Sequence, residues 1–122
     1  MKYKDFEYND CGVCLNPDVP YRFGKYNRHH FEIKVSETPR GWVYGYNWSH
    51  LTGGGGGGCN FNGRDVFLTR SKAIIASAEL IKWFYHNDPK ANKAIGELDR
   101  IIKVESGQRR AVKQMTIFDY LE

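Results

Sequence analysis

His30-Phe31-Glu32-Ile33-Lys34-Val35, then Thr38-Pro39-Arg40-Gly41, then Trp42-Val43-Tyr44-Gly45-Tyr46-Asn47-Trp48 reads as two strands joined by a tight turn. In the first run Phe31, Ile33 and Val35 alternate with His30, Glu32 and Lys34, the period of two that a half-buried strand needs. Proline and glycine in the turn suit a sharp reversal. In the second run Trp42, Tyr44, Tyr46 and Trp48 point one way, and Val43 and Gly45 the other. One face of an antiparallel sheet therefore carries a ladder of aromatic rings.

Outward from this pair, residues 3–8 alternate weakly as a strand would, and residues 11–25, with Pro17, Pro20 and Gly24, read as an irregular crossing. On the other side stand six consecutive glycines, Gly53 through Gly58, before a second short apolar strand, Val66-Phe67-Leu68. Such a run inside a connection has no side chains to block approach. Its N–H groups, with Gly55 and Gly56 at the centre, can wrap an anion such as a phosphate; a plain surface loop is the alternative.

Thr69 is placed to cap a helix over about residues 70–86, with Ile74, Ser77, Ala78, Ile81 and Tyr85 on one stripe and Ala73, Ala76, Leu80, Trp83 and Phe84 widening it. Asp88-Pro89 predicts the start of a second helix, whose Ala91, Ala94, Ile95, Leu98, Ile101 and Ile102 keep helical spacing to about Val104. Gly96 within it suggests a close helix approach, since glycine costs about 1 kcal/mol there against alanine. Ser106-Gly107 reads as its end, leaving Arg109 and Arg110 on a loop or strand start and residues 111–122 as a return segment. Strands first and helices afterwards make an α+β chain: one domain over residues 1–122, an N-terminal antiparallel sheet covered on one face by two C-terminal helices.

At 122 residues, 15% of them aromatic, the chain carries more ring surface than one small core can bury. A pocket or a subunit interface is the expected place for the surplus, so a homo-oligomer is expected, a dimer or higher. The wide apolar arc of the first helix points the same way. The formal charge of +4 favours an anionic partner without giving the dense basic stripe of a nucleic-acid-coating protein. No stretch is long and apolar enough to span a bilayer, and the first residues lack the apolar core of a signal peptide, so no membrane partner and a cytoplasmic location are expected. The three cysteines, Cys11, Cys14 and Cys59, then read as reduced thiols.

Cys11-Gly12-Val13-Cys14 has the spacing of half a zinc site, with His29, His30 and Cys59 as conceivable partners. A second closely spaced pair is missing, so no metal and no cofactor is expected. His29, His30, His50 and His86 are the side chains suited to acid–base work near neutrality. No nucleophile elbow, metalloprotease helix, phosphate-loop lysine or paired carboxylate motif accompanies them, and the reading is a non-enzyme. Gln114-Met115-Thr116-Ile117-Phe118 resembles the short peptide by which bacterial replication proteins dock on the sliding clamp. The same apolar residues, Phe118 and Tyr120 among them, also suit a packed edge strand, which is the expectation here.

The favoured constellation is one of rings, an amide and arginines. Trp83 and Phe84 close the first helix, Asn92 opens the second, and Arg109 and Arg110 follow it. If the helix ends converge, a nucleobase stacks on the aromatic face for about 1–3 kcal/mol, Asn92 reads its edge and the guanidinium groups grip phosphates.

With Asn92 early in the second helix, Arg109 just beyond it and Trp83 or Phe84 on the first, the layout resembles the anti-Thoeris sponge proteins. Phages use these to sequester glycocyclic ADP-ribose, the signal made by bacterial Thoeris TIR-domain proteins. The resemblance implies a small signalling nucleotide held uncleaved between protomers, in an assembly that in some members is a hexamer also taking cyclic oligonucleotides at a separate place. Arg64 and Arg110 are the candidates for a second phosphate contact. The function expected is thus a non-catalytic sponge for a cyclic adenine-containing nucleotide that inhibits anti-phage immunity. A clamp-docking protein of a mobile element and a small nucleic-acid-binding accessory protein are the alternatives.

Overall fold

The computed structural model describes residues 1–24, 29–50 and 52–114, the side chains of 108–114 excepted. The chain is α+β, as its pattern predicts. A short hairpin, β1 (Lys2–Tyr3) and β2 (Phe6–Glu7), precedes a four-stranded antiparallel sheet of β3 (Asp18–Phe23), β4 (His30–Thr38), β5 (Gly41–His50) and β6 (Gly53–Gly57), ordered as in the sequence. Two helices follow, α1 (Arg70–Tyr85) and α2 (Asn92–Gln114).

The central pair behaves as its alternation requires. β4 and β5 pair from Thr38↔Gly41 through Phe31↔Trp48 to His30↔Ser49. Thr38 closes the turn, its hydroxyl donating to the Gly41 carbonyl at 2.9 Å. Phe31, Ile33 and Val35 are fully buried, and Tyr44, Tyr46 and Trp48 pack beside them on the same face. α1 lies over β4 and β5, with α2 packed alongside α1. Ile74, Ser77, Ala78, Ile81 and Tyr85 of the predicted stripe are all buried. Thr69 caps α1 by accepting the Lys72 N–H at 3.1 Å.

The opposite sheet face holds a second, smaller core of Phe6, Tyr8, Cys14, Val43 and Cys59. Tyr8 anchors it, its hydroxyl 2.8 Å from Ser36 Oγ and 2.7 Å from the Glu37 carbonyl. Burial pushes the Cys59 thiol up to about 12.

Several local expectations are corrected. The glycine run is not a phosphate-cradling loop: Gly53 to Gly57 form an edge strand paired with His50 to Tyr46. Glycine is needed for fit as well as tolerated. A Cβ on Gly54 would lie 2.4 Å from the Trp48 carbonyl oxygen, and one on Gly56 2.9 Å from the Tyr46 carbonyl oxygen. Residues 3–8 form a hairpin of two-residue strands, turned by Lys4 at φ 53°, instead of one strand. The supposed crossing before Lys25 contains β3, whose Pro20 is admissible because β3 is an edge. The supposed Val66-Phe67-Leu68 strand is a single bridge, Trp42↔Phe67, with Leu68 exposed.

α2 departs from expectation at both ends. Asp88-Pro89 forms a turn, not the first helical residues, and the helix begins at Asn92. It then continues through Ser106 and Gly107 to Gln114. Ser106 Oγ turns back to the Ile102 carbonyl at 2.6 Å, and one glycine at about 1 kcal/mol does not outweigh the packing of the preceding turns. Ala111 to Gln114 are therefore helical instead of returning to the sheet; the rest of the tail, with Phe118 and Tyr120, lies outside the described residues. Gly96 marks no close approach, since nothing lies within 4 Å of a Cβ built there.

Glu105 joins three elements. Its side chain is 5% exposed and accepts from the Tyr21 hydroxyl of β3 and, at 2.8 Å, from Ser71 Oγ of α1. Burial, then the Glu105 hydrogen bond, push the Tyr21 phenol up to about 12.

Candidate functional site

The antiparallel register brings the start of β4 and the end of β5 to the same edge of the molecule as the turn between the helices. Tyr85, buried at the last turn of α1, fastens the three together. Its hydroxyl lies 2.7 Å from the Ser49 carbonyl and 3.0 Å from the His30 carbonyl. Burial pushes this phenol up to about 12, as a neutral donor held in an apolar setting requires.

α1 stops where it does because Pro89 cannot supply an N–H and disfavours helix at Asp88. The chain instead folds into a turn in which Asp88 Oδ1 accepts the Lys90 N–H at 2.9 Å and the Asp88 carbonyl accepts that of Ala91 at 3.1 Å. Asp88 Oδ2 is thereby aimed at His29 Nε2, 2.8 Å away. The His29 hydrogen bond first, and then the Lys90 N–H, hold the Asp88 carboxyl below the ordinary carboxylate range.

A cleft of about 410 Å³ opens at this end, lined by His29, His50, Thr52, Phe84, Asn87, Asp88, Pro89 and Lys90. Each wall has its own chemistry. Phe84 belongs to an aromatic stack, 4.7 Å from Trp48 at 10° and 5.8 Å from Tyr46 at 29°. His50 ends β5, and its Nδ1 accepts the Thr52 N–H at 3.3 Å, which assigns the proton of the neutral ring to Nε2. Lys90 adds a cation, Asn87 an amide and Thr52 a hydroxyl. Such a site can hold a flat ring on its aromatic wall, read a polar edge and neutralise an anionic group. The volume lies within the usual span of small-molecule pockets.

The structure brings together only part of the predicted constellation. Phe84 lines the cleft. Trp83 stands next to it, edge-on to Phe84 at 5.5 Å, stacked on His86 and 62% exposed. Asn92 is exposed at the first residue of α2 and is not part of the lining. Arg109 and Arg110 cannot meet Asn92 within one protomer: Arg109 lies seventeen residues along the same helix, about 26 Å at 1.5 Å per residue. The loop before Arg64 packs near Val43, seven residues from His50 along β5, or about 23 Å. Gly55 and Gly56 belong to β6, opposite Trp48 and Asn47.

The groups the sequence reading left out are Thr52, Asn87, Asp88 and Lys90, while His29 and His50 stood out only as histidines. A sequence signal existed for some of them: histidines at a strand's start and another strand's end meet when the two pair antiparallel. Asp88-Pro89 has the pattern of a helix start, and only its fold into a turn aims the carboxylate at His29. Among the described residues no cluster of three or more His, Cys, Asp or Glu is placed to hold a metal. Nor is any described helix long and apolar enough to cross a membrane. Compared with family models, curated proteins and solved structures, this chain matches none.

Proposed function

We propose that this protein is a non-catalytic binding protein that holds a small nucleotide in the cleft between His29, His50, Phe84 and Lys90. The observation that carries the reading is the union, in one cleft, of a stacked aromatic wall with an amide and the Lys90 cation. The base stacks on Phe84, Asn87 reads its edge, and Lys90 and His50 meet the phosphates. A cyclic, adenine-containing signal such as glycocyclic ADP-ribose has these parts. Held in excess protein in the cytoplasm, it is kept from its effector by mass action alone, so anti-phage signalling fails without turnover. Surplus aromatic surface, the exposed Trp83 above all, supports a homo-oligomer with the clefts near subunit contacts.

The test is to mix the purified protein with cell extract, re-isolate it, heat it and identify the released small molecule by mass spectrometry. Calorimetry with a cyclic ADP-ribose isomer follows, on the wild type and on Phe84→Ala and Lys90→Ala. Release of an intact nucleotide, with at least tenfold weaker binding in both variants, is the expected result. Release of a cleaved product, or no ligand and no heat, overturns it.

A specific observation also favours docking on the sliding clamp. α2 runs unbroken to Gln114, the first residue of Gln114-Met115-Thr116-Ile117-Phe118, so residues 111–114 do not return to the sheet. In that reading a chain ending at Gln114 keeps its melting temperature and loses clamp binding, measured by surface plasmon resonance.

A further inference from the structure

The sheet ends in two edge strands of opposite character. β3 carries Pro20, the charged Arg22 and a register break between Asp18 and Tyr21, all devices that turn away an incoming strand. β6 carries none of them. It is bonded to β5 on one side only, and Gly53 to Gly56 are exposed. In an antiparallel edge strand alternate residues direct both N–H and C=O outward.

On the helix-facing side the places for β6 side chains are taken by the neighbouring strand's rings. A Cβ on Gly55 would lie 3.1 Å from Trp48 Nε1, one on Gly57 3.2 Å from the Tyr46 ring, and one on Gly53 3.8 Å from His50. Rings of β5 thus lean across a strand with no side chains of its own. Trp48 and Tyr46 both remain partly exposed.

We propose that β6 is a docking edge for an extended peptide of a partner protein, which adds a fifth strand through main-chain hydrogen bonds. Its apolar side chains, at every second position, lie over the glycines against Trp48 and Tyr46. At the Gly53 end His50 borders a cleft that also holds Lys90 and Asp88. The Asp88 oxygens are turned to His29 Nε2 at 2.8 Å and to the Lys90 N–H at 2.9 Å, so the Lys90 ammonium is the charge offered to a ligand and an acidic side chain suits that end of the peptide. A second copy of β6 fits this edge poorly. It brings no side chain to the ring edges, and glycine against glycine fixes no register.

The test is selection of a displayed random heptapeptide library on the intact protein, followed by NMR with the synthetic consensus peptide. Enriched sequences are expected to alternate apolar residues and to carry an acidic residue toward one end. The peptide is expected to shift the Gly53 to Gly57 amides and slow their exchange. Methylating the peptide nitrogens on one alternate set weakens binding at least tenfold, and methylating the other set does not. Gly53→Val, whose Cβ would make an ordinary contact with His50, folds and binds the peptide at least tenfold more weakly. No enrichment, shifts confined to residues away from β6, equal effects of both methylation sets, or unchanged binding by a folded Gly53→Val overturns the proposal. Protection of β6 amides that tracks self-association in sedimentation also overturns it, and gives the edge to a second copy.

Discussion

Replacing Tyr85 with phenylalanine removes one oxygen from the point where β4, β5 and α1 are tied together. The ring is fully buried, edge-on to both His29 at 5.7 Å and Trp48 at 5.7 Å, and phenylalanine keeps those contacts and leaves almost no cavity. What is lost is a hydroxyl 2.7 Å from the Ser49 carbonyl and 3.0 Å from that of His30. One net hydrogen bond is worth about 1 kcal/mol, and leaving a carbonyl short of a partner adds about another, so Tyr85→Phe should cost about 2 kcal/mol. At about 3–6 °C per kcal/mol for a chain of this size, melting falls by about 6–12 °C. Those carbonyls belong to the residues beside His29 and His50, so the ring resonances of both histidines should shift as well. Tyr8→Phe is the control: its hydroxyl also meets two oxygens, but in the second core, so it should lower melting and leave the two histidines in place. Thermal denaturation by circular dichroism and NMR of the imidazoles read both effects. A Tyr85→Phe protein melting within about 2 °C of the wild type, with unmoved histidine signals, would refute the assignment of Tyr85 as the tie that shapes the cleft.

Tyr21 and Tyr85 titrate near 12 in the folded chain, above the value of about 10 in an unfolded one. Their stabilisation is complete below pH 10 and is lost as pH rises toward 12, so melting temperature should fall across that window, in step with a late rise in tyrosinate absorbance. A thiol reagent at pH 8 should label one cysteine quickly, the exposed Cys11, while Cys14 and Cys59 react only on unfolding; three fast thiols would contradict the second core. Glu105→Leu removes the acceptor of both the Tyr21 and Ser71 hydroxyls and should cost about 2–3 kcal/mol by urea denaturation; combined with Tyr21→Phe, the loss should be less than additive. Arg109→Ala should leave binding in the cleft unchanged in calorimetry, because its backbone lies about 26 Å along α2 from Asn92, the helix's first residue, which follows the cleft's Lys90 by two residues. A tenfold loss there would require a second protomer to bring Arg109 to the site.

What the sequence determined by itself is what local chemistry controls. The period of two in His30 to Val35 and the Pro-Arg-Gly turn specified β4, β5 and their pairing, because a slip of one residue would turn every apolar side chain to the wrong face. Thr69 and the stripe from Ile74 to Tyr85 specified α1 for the same kind of reason. Where partners distant in sequence decide the outcome, the chain alone misled. Five glycines have no strand preference of their own, and β6 exists because β5 offers a ladder and the Trp48 and Tyr46 rings fill the space that side chains would need. Ser106-Gly107 looks like a helix end, yet its cost is small beside the turns already packed on α1. The cleft is the clearest case. The histidines, the aromatic pair and Asp88 were visible one by one, but only the antiparallel register and the arrest of α1 at Pro89 bring His29, His50, Phe84 and Asp88 together, while a straight α2 carries Arg109 away. Side-chain chemistry is written residue by residue; proximity between strand ends and helix turns is a property of the packed chain.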